Sequence, residues 1–103
     1  MEPIKTYESF LDFIQGEVRA AYFSTPTCGV CHSWKPRVAE MMEELEIDCA
    51  HIDLTEVPKI SGQFLVMGVP ALLIFSEGKE IFRFGAYDRL DQIKAKLNQL
   101  ITS

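Results

Sequence analysis

The segment that most strongly constrains the structure is AAYFSTPTCGVCHSWK, residues 20–35. It begins with an apolar run typical of a buried strand, passes through the loop-forming residues Thr25-Pro26-Thr27, and enters a helical pattern at Cys28. The segment therefore predicts a strand, a turn and a helix, with Cys28 at the start of the helix. A thiol at that position meets unpaired backbone N–H groups and the positive end of the helix dipole, which favour the thiolate.

Cys28-Gly29-Val30-Cys31 is a C-x-x-C motif. Two thiols at this spacing can close a small disulfide and open it again, and the thiolate at the helix start is the species that attacks other disulfides. The chain has three cysteines, an odd number, which does not suit a framework of structural disulfides. The motif therefore indicates a redox-active, redox-sensing or metal-binding pair.

Length, composition and charge limit the possible classes of protein. The 103 residues suffice for one domain, 1–103, and the 48% hydrophobic content allows it a core without a metal or structural disulfides. The net charge of −5 disfavours binding to nucleic acid or to an anionic membrane. No apolar stretch approaches the roughly 20 residues of a membrane span, and the first residues lack the apolar segment of a secretory signal. We therefore expect a cytoplasmic protein.

Elements that flank the motif alternate between helical and strand patterns. The order is α-β-α-β-α-β-β-α, which predicts an α/β fold with a central mixed sheet, helices on both faces, and a C-terminal β-hairpin followed by a helix. We expect Glu77-Gly78-Lys79 to form the hairpin turn, Gly85 to break the last strand and Asp88 to cap the last helix. The predicted helices span about 7–15, 28–45, 57–65 and the residues after 88, and the strands about 18–24, 47–54, 71–75 and 80–84, with a further short strand near Ile4.

This arrangement resembles the thioredoxin family from about residue 7 to residue 101. The C-x-x-C follows the first strong strand, and Pro36 matches a proline that kinks the following helix in the family. Val69-Pro70 matches the loop whose proline is cis in the family and lies against the cysteine pair. Gly78 and Gly85 match glycines around the last hairpin. The resemblance implies the thioredoxin fold and a dithiol–disulfide oxidoreductase.

The resemblance also implies a role for each site residue. Cys28 would be the nucleophile and Cys31 the resolving cysteine, while Val69 and Pro70 would bind an extended segment of a protein substrate. Such chemistry needs no bound cofactor and no metal. We expect a monomer that reduces disulfide-containing proteins and is regenerated by a thiol reductant such as a thioredoxin reductase.

Several positions depart from the family pattern. Thr27 replaces a tryptophan, Val30 replaces a proline, and Ala71 replaces a threonine. Tyr22 and His51 stand where the family has a buried acid and a lysine that assist proton transfer from the second cysteine. Because burying an unpaired charge is costly, changing both to neutral groups is physically coherent. We therefore hypothesise that His51, through Tyr22 or a water, moves the proton from Cys31.

Three alternatives remain at this point. The sequence continues to His32, so the motif also reads C-x-x-C-H, the attachment pattern of c-type haem. A zinc site would need Cys28, Cys31, Cys49 and His51 to meet. A thioredoxin-like binding or redox-sensing module for one dedicated partner would keep the thiols but show little general turnover.

Overall fold

The computed structural model describes residues 1–102, and the predicted order of elements is confirmed, including the short first strand, which lies just before Ile4. The helices are α1 (Tyr7–Phe13), α2 (Gly29–Leu45), α3 (Pro58–Phe64) and α4 (Leu90–Thr102). The strands are β1 (Glu2–Pro3), β2 (Arg19–Ser24), β3 (Asp48–Asp53), β4 (Ala71–Ser76) and β5 (Lys79–Gly85).

The strands form one mixed sheet in the order β1-β3-β2-β4-β5. β1, β3 and β2 run parallel to one another, whereas β4 is antiparallel to both β2 and β5. β2 and β4 occupy the centre because they are apolar and buried along nearly their whole length, as expected for strands covered on both faces. The predicted mixed sheet is confirmed.

Helices cover both faces of the sheet, as predicted. On one face α1 and α3 pack against alternate residues of the strands, and the rings of Phe10, Phe64 and Phe75 meet edge to face at 5.1 to 5.9 Å between centroids. On the other face α2 and α4 enclose a second core that includes Tyr22 and Trp34. The C-x-x-C motif therefore lies at the start of a helix that shares one face of the sheet with α4.

Three details in the last third of the chain differ from the sequence prediction. The hairpin turn consists of Glu77 and Gly78, both with positive φ, so Lys79 already belongs to β5. β5 stops at Gly85 as predicted, but Gly85 is itself the last residue of the strand and pairs with Ala71. Asp88 does not cap α4, which begins at Leu90; instead its carboxylate accepts the backbone N–H of Gly85 at 2.7 Å. A short polar side chain thus stabilises the turn before the helix rather than the helix itself.

Candidate active site

Cys28 is the N-cap residue of α2. Its backbone is extended (φ −87°, ψ 104°), and the backbone N–H of Cys31 donates to Cys28 Sγ at 3.2 Å. Cys28 and Cys31 form a disulfide with their Cα atoms 5.2 Å apart. Cys31 is 2% exposed, whereas Cys28 is half-buried. The sulfur that can be reached from outside is therefore the one that receives the helix N–H, and a thiolate there would be stabilised by that donor.

Tyr22 lies beneath the first turn of α2 and is completely buried. Its hydroxyl donates to the backbone carbonyl of Cys31 at 2.7 Å, which joins β2 directly to the turn that carries the second cysteine. Burial, and to a smaller extent the charge of Cys49, raises the pKa of Tyr22 to about 12. Tyr22 is therefore a neutral hydrogen-bond donor at physiological pH.

His51 is beside Tyr22 on the neighbouring strand, as the resemblance implied. The two residues are register partners of β2 and β3, and their rings lie 5.9 Å apart. His51 Nε2 lies within hydrogen-bond distance, 2.6 Å, of Ser24 Oγ. Burial, followed by the positive charge of Lys35, lowers the pKa of His51, whereas Asp53 acts in the opposite direction. His51 is therefore held neutral at physiological pH.

Ser24 is the polar partner of His51, and it is not among the site residues predicted from the sequence. It is only 8% exposed and is the last residue of β2. Since alternate residues of a strand project to the same face, the position of Ser24 two residues after Tyr22 indicates that both side chains lie on one face of the sheet. Tyr22, Ser24 and His51 thus form a polar group on the α2 face of the sheet, which we call the polar column.

Val69 and Pro70 lie at the same end of the sheet as the cysteine pair. Ala71, which follows them, is the register partner of Phe23, near the end of β2 where the chain leaves toward Cys28. The Val69–Pro70 peptide bond is cis. Residues 65–71 and 83–87 form the two walls of a groove of about 410 Å³ beside this bond. Met67 is 85% exposed and Tyr87 is fully exposed on these walls.

The residues of the hypothetical zinc site are not brought together. Cys49 pairs with Ala20 in the sheet, four residues before the end of β2, which is about 13 Å at the usual rise per residue. Its thiol donates to the Ala50 carbonyl, and burial raises the pKa of Cys49 to about 12. Within residues 1–102 no three His, Cys, Asp or Glu side chains are grouped so as to hold a metal ion.

His32 does not extend the cysteine pair into a haem-binding group. Its Nε2 lies 3.1 Å from the carbonyl oxygen of Pro26, so the ring folds back on the loop before Cys28, while the two sulfurs are bonded to each other.

None of the helices in the part of the chain described is both long and apolar enough to cross a membrane.

Comparison with known proteins agrees with this geometry. The sequence model of the Thioredoxin family matches residues 4–99. Over 80 residues the chain is 32% identical to the thioredoxin-like protein YdfQ of Bacillus subtilis strain 168, covering 77% of this chain and 71% of that protein. It is 30% identical over 79 residues to the thioredoxin-related transmembrane protein 1 of Bos taurus, covering 74% of this chain but only 28% of that protein.

The fold is likewise similar to solved structures. A mutant thioredoxin from Halobacterium salinarum NRC-1 superposes with a TM-score of 0.85 at 25% identity, covering 95% of this chain and 89% of that one. The match of the family to residues 4–99 includes the cysteine pair, both walls of the groove and the polar column. The chain therefore belongs to the thioredoxin family, whose redox-active C-x-x-C motif it carries as Cys28 and Cys31.

Proposed function

We propose that this protein is a dithiol–disulfide reductase of protein substrates. In the first step the Cys28 thiolate attacks one sulfur of a substrate disulfide, forms a mixed disulfide and releases the other substrate sulfur as a thiolate. In the second step the Cys31 thiolate attacks Cys28 Sγ, breaks the mixed disulfide and releases the second substrate thiol. The substrate gains two electrons and two protons, and the cysteine pair is left as the disulfide.

The observation that carries this proposal is the asymmetry of the two sulfurs. Cys28 is accessible and accepts the N–H of Cys31, whereas Cys31 is almost fully buried behind it. A nucleophile must reach a partner, and a resolving cysteine has only to reach the nucleophile. The electrons would return through a thiol donor such as a thioredoxin reductase, and we propose that the protein works as a monomer in the cytoplasm.

We propose that Val69 and Pro70 bind the substrate. Their position just before β4, beside the loop that leads to Cys28, would let the backbone N–H and carbonyl of Val69 pair with an extended segment of the substrate. The apolar side chains of Met67 and Tyr87 would contact the residues of that segment that project to either side. A substrate held in this way would present its disulfide to Cys28.

We also propose that His51 accepts the proton of the Cys31 thiol in the resolving step. Its lowered pKa leaves the ring neutral and able to take a proton, and its partner Ser24 belongs to the same polar column as Tyr22. Tyr22 would then position Cys31 through its carbonyl. The rate of the resolving step should depend on pH in the wild type, and in His51→Ala its rise should move to the higher pH at which the Cys31 thiol ionises without a base; an unchanged profile would remove His51 from the mechanism.

A redox titration of the cysteine pair tests the central proposal. The ratio of the two forms is fixed by dithiothreitol buffers in the reducing range and glutathione buffers in the more oxidising range, and is read by alkylation and intact mass. Cys49→Ala serves as the background so that only Cys28 and Cys31 react. A reversible two-electron couple near about −270 mV, together with catalysed reduction of insulin, is the result expected of a reductase. A potential nearer about −120 mV would indicate an oxidant, and absence of a reversible couple would exclude both.

A second candidate is a redox-dependent binding module for one partner. The exposure of Met67 and Tyr87 beside Pro70 favours it, because large exposed apolar side chains that gather on one surface often mark a protein contact. The variant Cys31→Ser cannot resolve its mixed disulfides and would retain its partners covalently. One dominant retained protein and slow insulin reduction would support the module, whereas many retained proteins and rapid turnover would support the reductase.

A further inference from the structure

Arg83 connects the two walls of the groove. It lies on β5, and its side chain crosses to the other wall, where Nη1 donates to the carbonyl of Leu65 and Nη2 to the carbonyl of Phe64, each at 2.7 Å. Both carbonyls belong to the end of α3, where a helix leaves its last acceptors without intrahelical partners. One side chain therefore joins β5 to the point from which the chain continues to Val69 and Pro70.

The guanidinium of Arg83 is itself held in place by Glu80. Arg83 Nε and Nη2 donate to the two carboxylate oxygens of Glu80 at 2.7 and 2.8 Å, and this ion pair raises the pKa of Arg83. The planar fork of arginine can satisfy a carboxylate on one side and two carbonyls on another, an arrangement that the compact ammonium of lysine does not reproduce. Arg83 is thus fixed on β5 before it reaches α3.

The segment after α3 has its other fixed points close to the helix. Leu65 adopts a left-handed backbone conformation, with φ of 55°, and Ser61 Oγ donates to the carbonyl of Val66 at 2.8 Å. Beyond Val66 the chain carries the exposed Met67 before it reaches Val69. The hydrogen bonds of Arg83 to this segment come from the opposite wall of the groove, whereas that of Ser61 comes from α3 itself.

We propose that Arg83 is a positioning residue for the protein substrate. By tying Leu65 and Phe64 to β5 it would fix the separation of the groove walls, and with it the backbone of Val69 that pairs with the substrate. This inference rests on the proposed function. Arg83 does not touch the dithiol, so its loss would weaken the binding of an extended protein segment and leave the reaction with a small disulfide unchanged.

The test compares a protein disulfide with a small one in Arg83→Met, Arg83→Lys and the wild type. Insulin is the protein substrate, and 5,5′-dithiobis(2-nitrobenzoic acid) is the small disulfide. Arg83→Met should raise KM for insulin about tenfold while kcat stays within about twofold, because a misplaced binding wall weakens substrate binding more than it alters the reacting sulfurs. The value of kcat/KM for the small disulfide should not change.

Conservative and matched variants separate positioning from general stability. Arg83→Lys keeps the charge without the fork, so its KM for insulin should lie between those of the wild type and Arg83→Met. Glu80→Gln leaves the carbonyl contacts in place but weakens the hold on Arg83, so its KM should be intermediate. Arg19→Met removes another strand arginine, which begins β2 at the end of the sheet away from the groove and is ion-paired with Asp48 of β3; it should leave the kinetics with both substrates unchanged.

Two results would overturn the inference. An unchanged KM for insulin in Arg83→Met would show that the groove does not need this contact. An equal loss with both substrates would show that Arg83 supports the dithiol or the fold as a whole, and Arg83→Lys provides the same comparison should Arg83→Met fail to fold. If the wild type reduces neither substrate, the proposed function fails first, and this inference fails with it.

Discussion

Removing the hydroxyl of Tyr22 should destabilise the protein through one identifiable contact. In Tyr22→Phe the buried ring keeps its packing, but the 2.7 Å hydrogen bond to the Cys31 carbonyl is lost. A buried hydrogen bond contributes about 0.5–1.5 kcal/mol net, and an acceptor left without any partner costs about 1–3 kcal/mol. Because a carbonyl in the first turn of a helix also accepts the N–H four residues later, the lower range applies, and we expect a loss of about 1 kcal/mol.

The measurement is urea denaturation of the oxidised protein, so that the Cys28–Cys31 disulfide is the same in every sample. In thermal denaturation the same loss of about 1 kcal/mol would lower Tm by about 4–8 °C for a domain of this size. Tyr87→Phe is the matched control, since the Tyr87 side chain is fully exposed and should contribute no measurable stability. If Tyr22→Phe proves as stable as the wild type, the hydroxyl does not anchor α2 to the sheet.

Three further predictions concern stability and are read by denaturation with urea. Burial lowers the pKa of His51, so the unfolded chain binds this proton more tightly than the folded one; stability should fall as the pH drops below 6.5, and less steeply in His51→Gln, and parallel curves would contradict this. Phe10→Ala empties the centre of the aromatic cluster and should cost about 3–5 kcal/mol, with a cost below about 1 kcal/mol arguing against the packing described. Gly78→Ala should cost about 1–2 kcal/mol because its φ is +86° and a Cβ would lie 2.9 Å from the amide of Gln15. Gly62→Ala in α3, where a Cβ meets nothing within 4 Å, should instead stabilise by about 0.5–1 kcal/mol, and equal effects of the two substitutions would contradict this reasoning.

Hydrophobic periodicity was sufficient to predict the order of elements but not their ends. The apolar runs at residues 20–23 and 71–75 predicted β2 and β4, and the helical repeat after Cys28 predicted α2. Ends are decided instead by single hydrogen bonds, such as the one from Gly85 to Asp88, which depend on where the chain turns in three dimensions. The sequence therefore predicts Asp88 as the cap of the following helix, whereas in the structure it stabilises the preceding turn.

The capping role of Cys28 was predictable because it is local. A side chain that precedes a helix meets N–H groups only three residues ahead, so the sequence alone indicated the contact with Cys31. The pairing of Ser24 with His51 is not local, since 27 residues separate them. It follows from the register of β2 and β3 together with the alternation of side chains, and neither is fixed until the sheet has formed.

The role of Arg83 in the groove likewise depends on contacts between residues that are distant in the sequence. On an exposed edge strand a pattern such as Glu80 and Arg83 predicts only solvation and protection from pairing with other chains. Its register partner Leu73 is completely buried, so Arg83 projects to the face that α1 and α3 cover, and the end of α3 supplies two carbonyls there. The same charged side chain thus protects an edge and bridges the groove walls, and only the second role requires the bidentate geometry that lysine lacks. If the KM for insulin of Arg83→Lys equals that of the wild type, the positive charge at this position is sufficient and the geometry of the fork is not required.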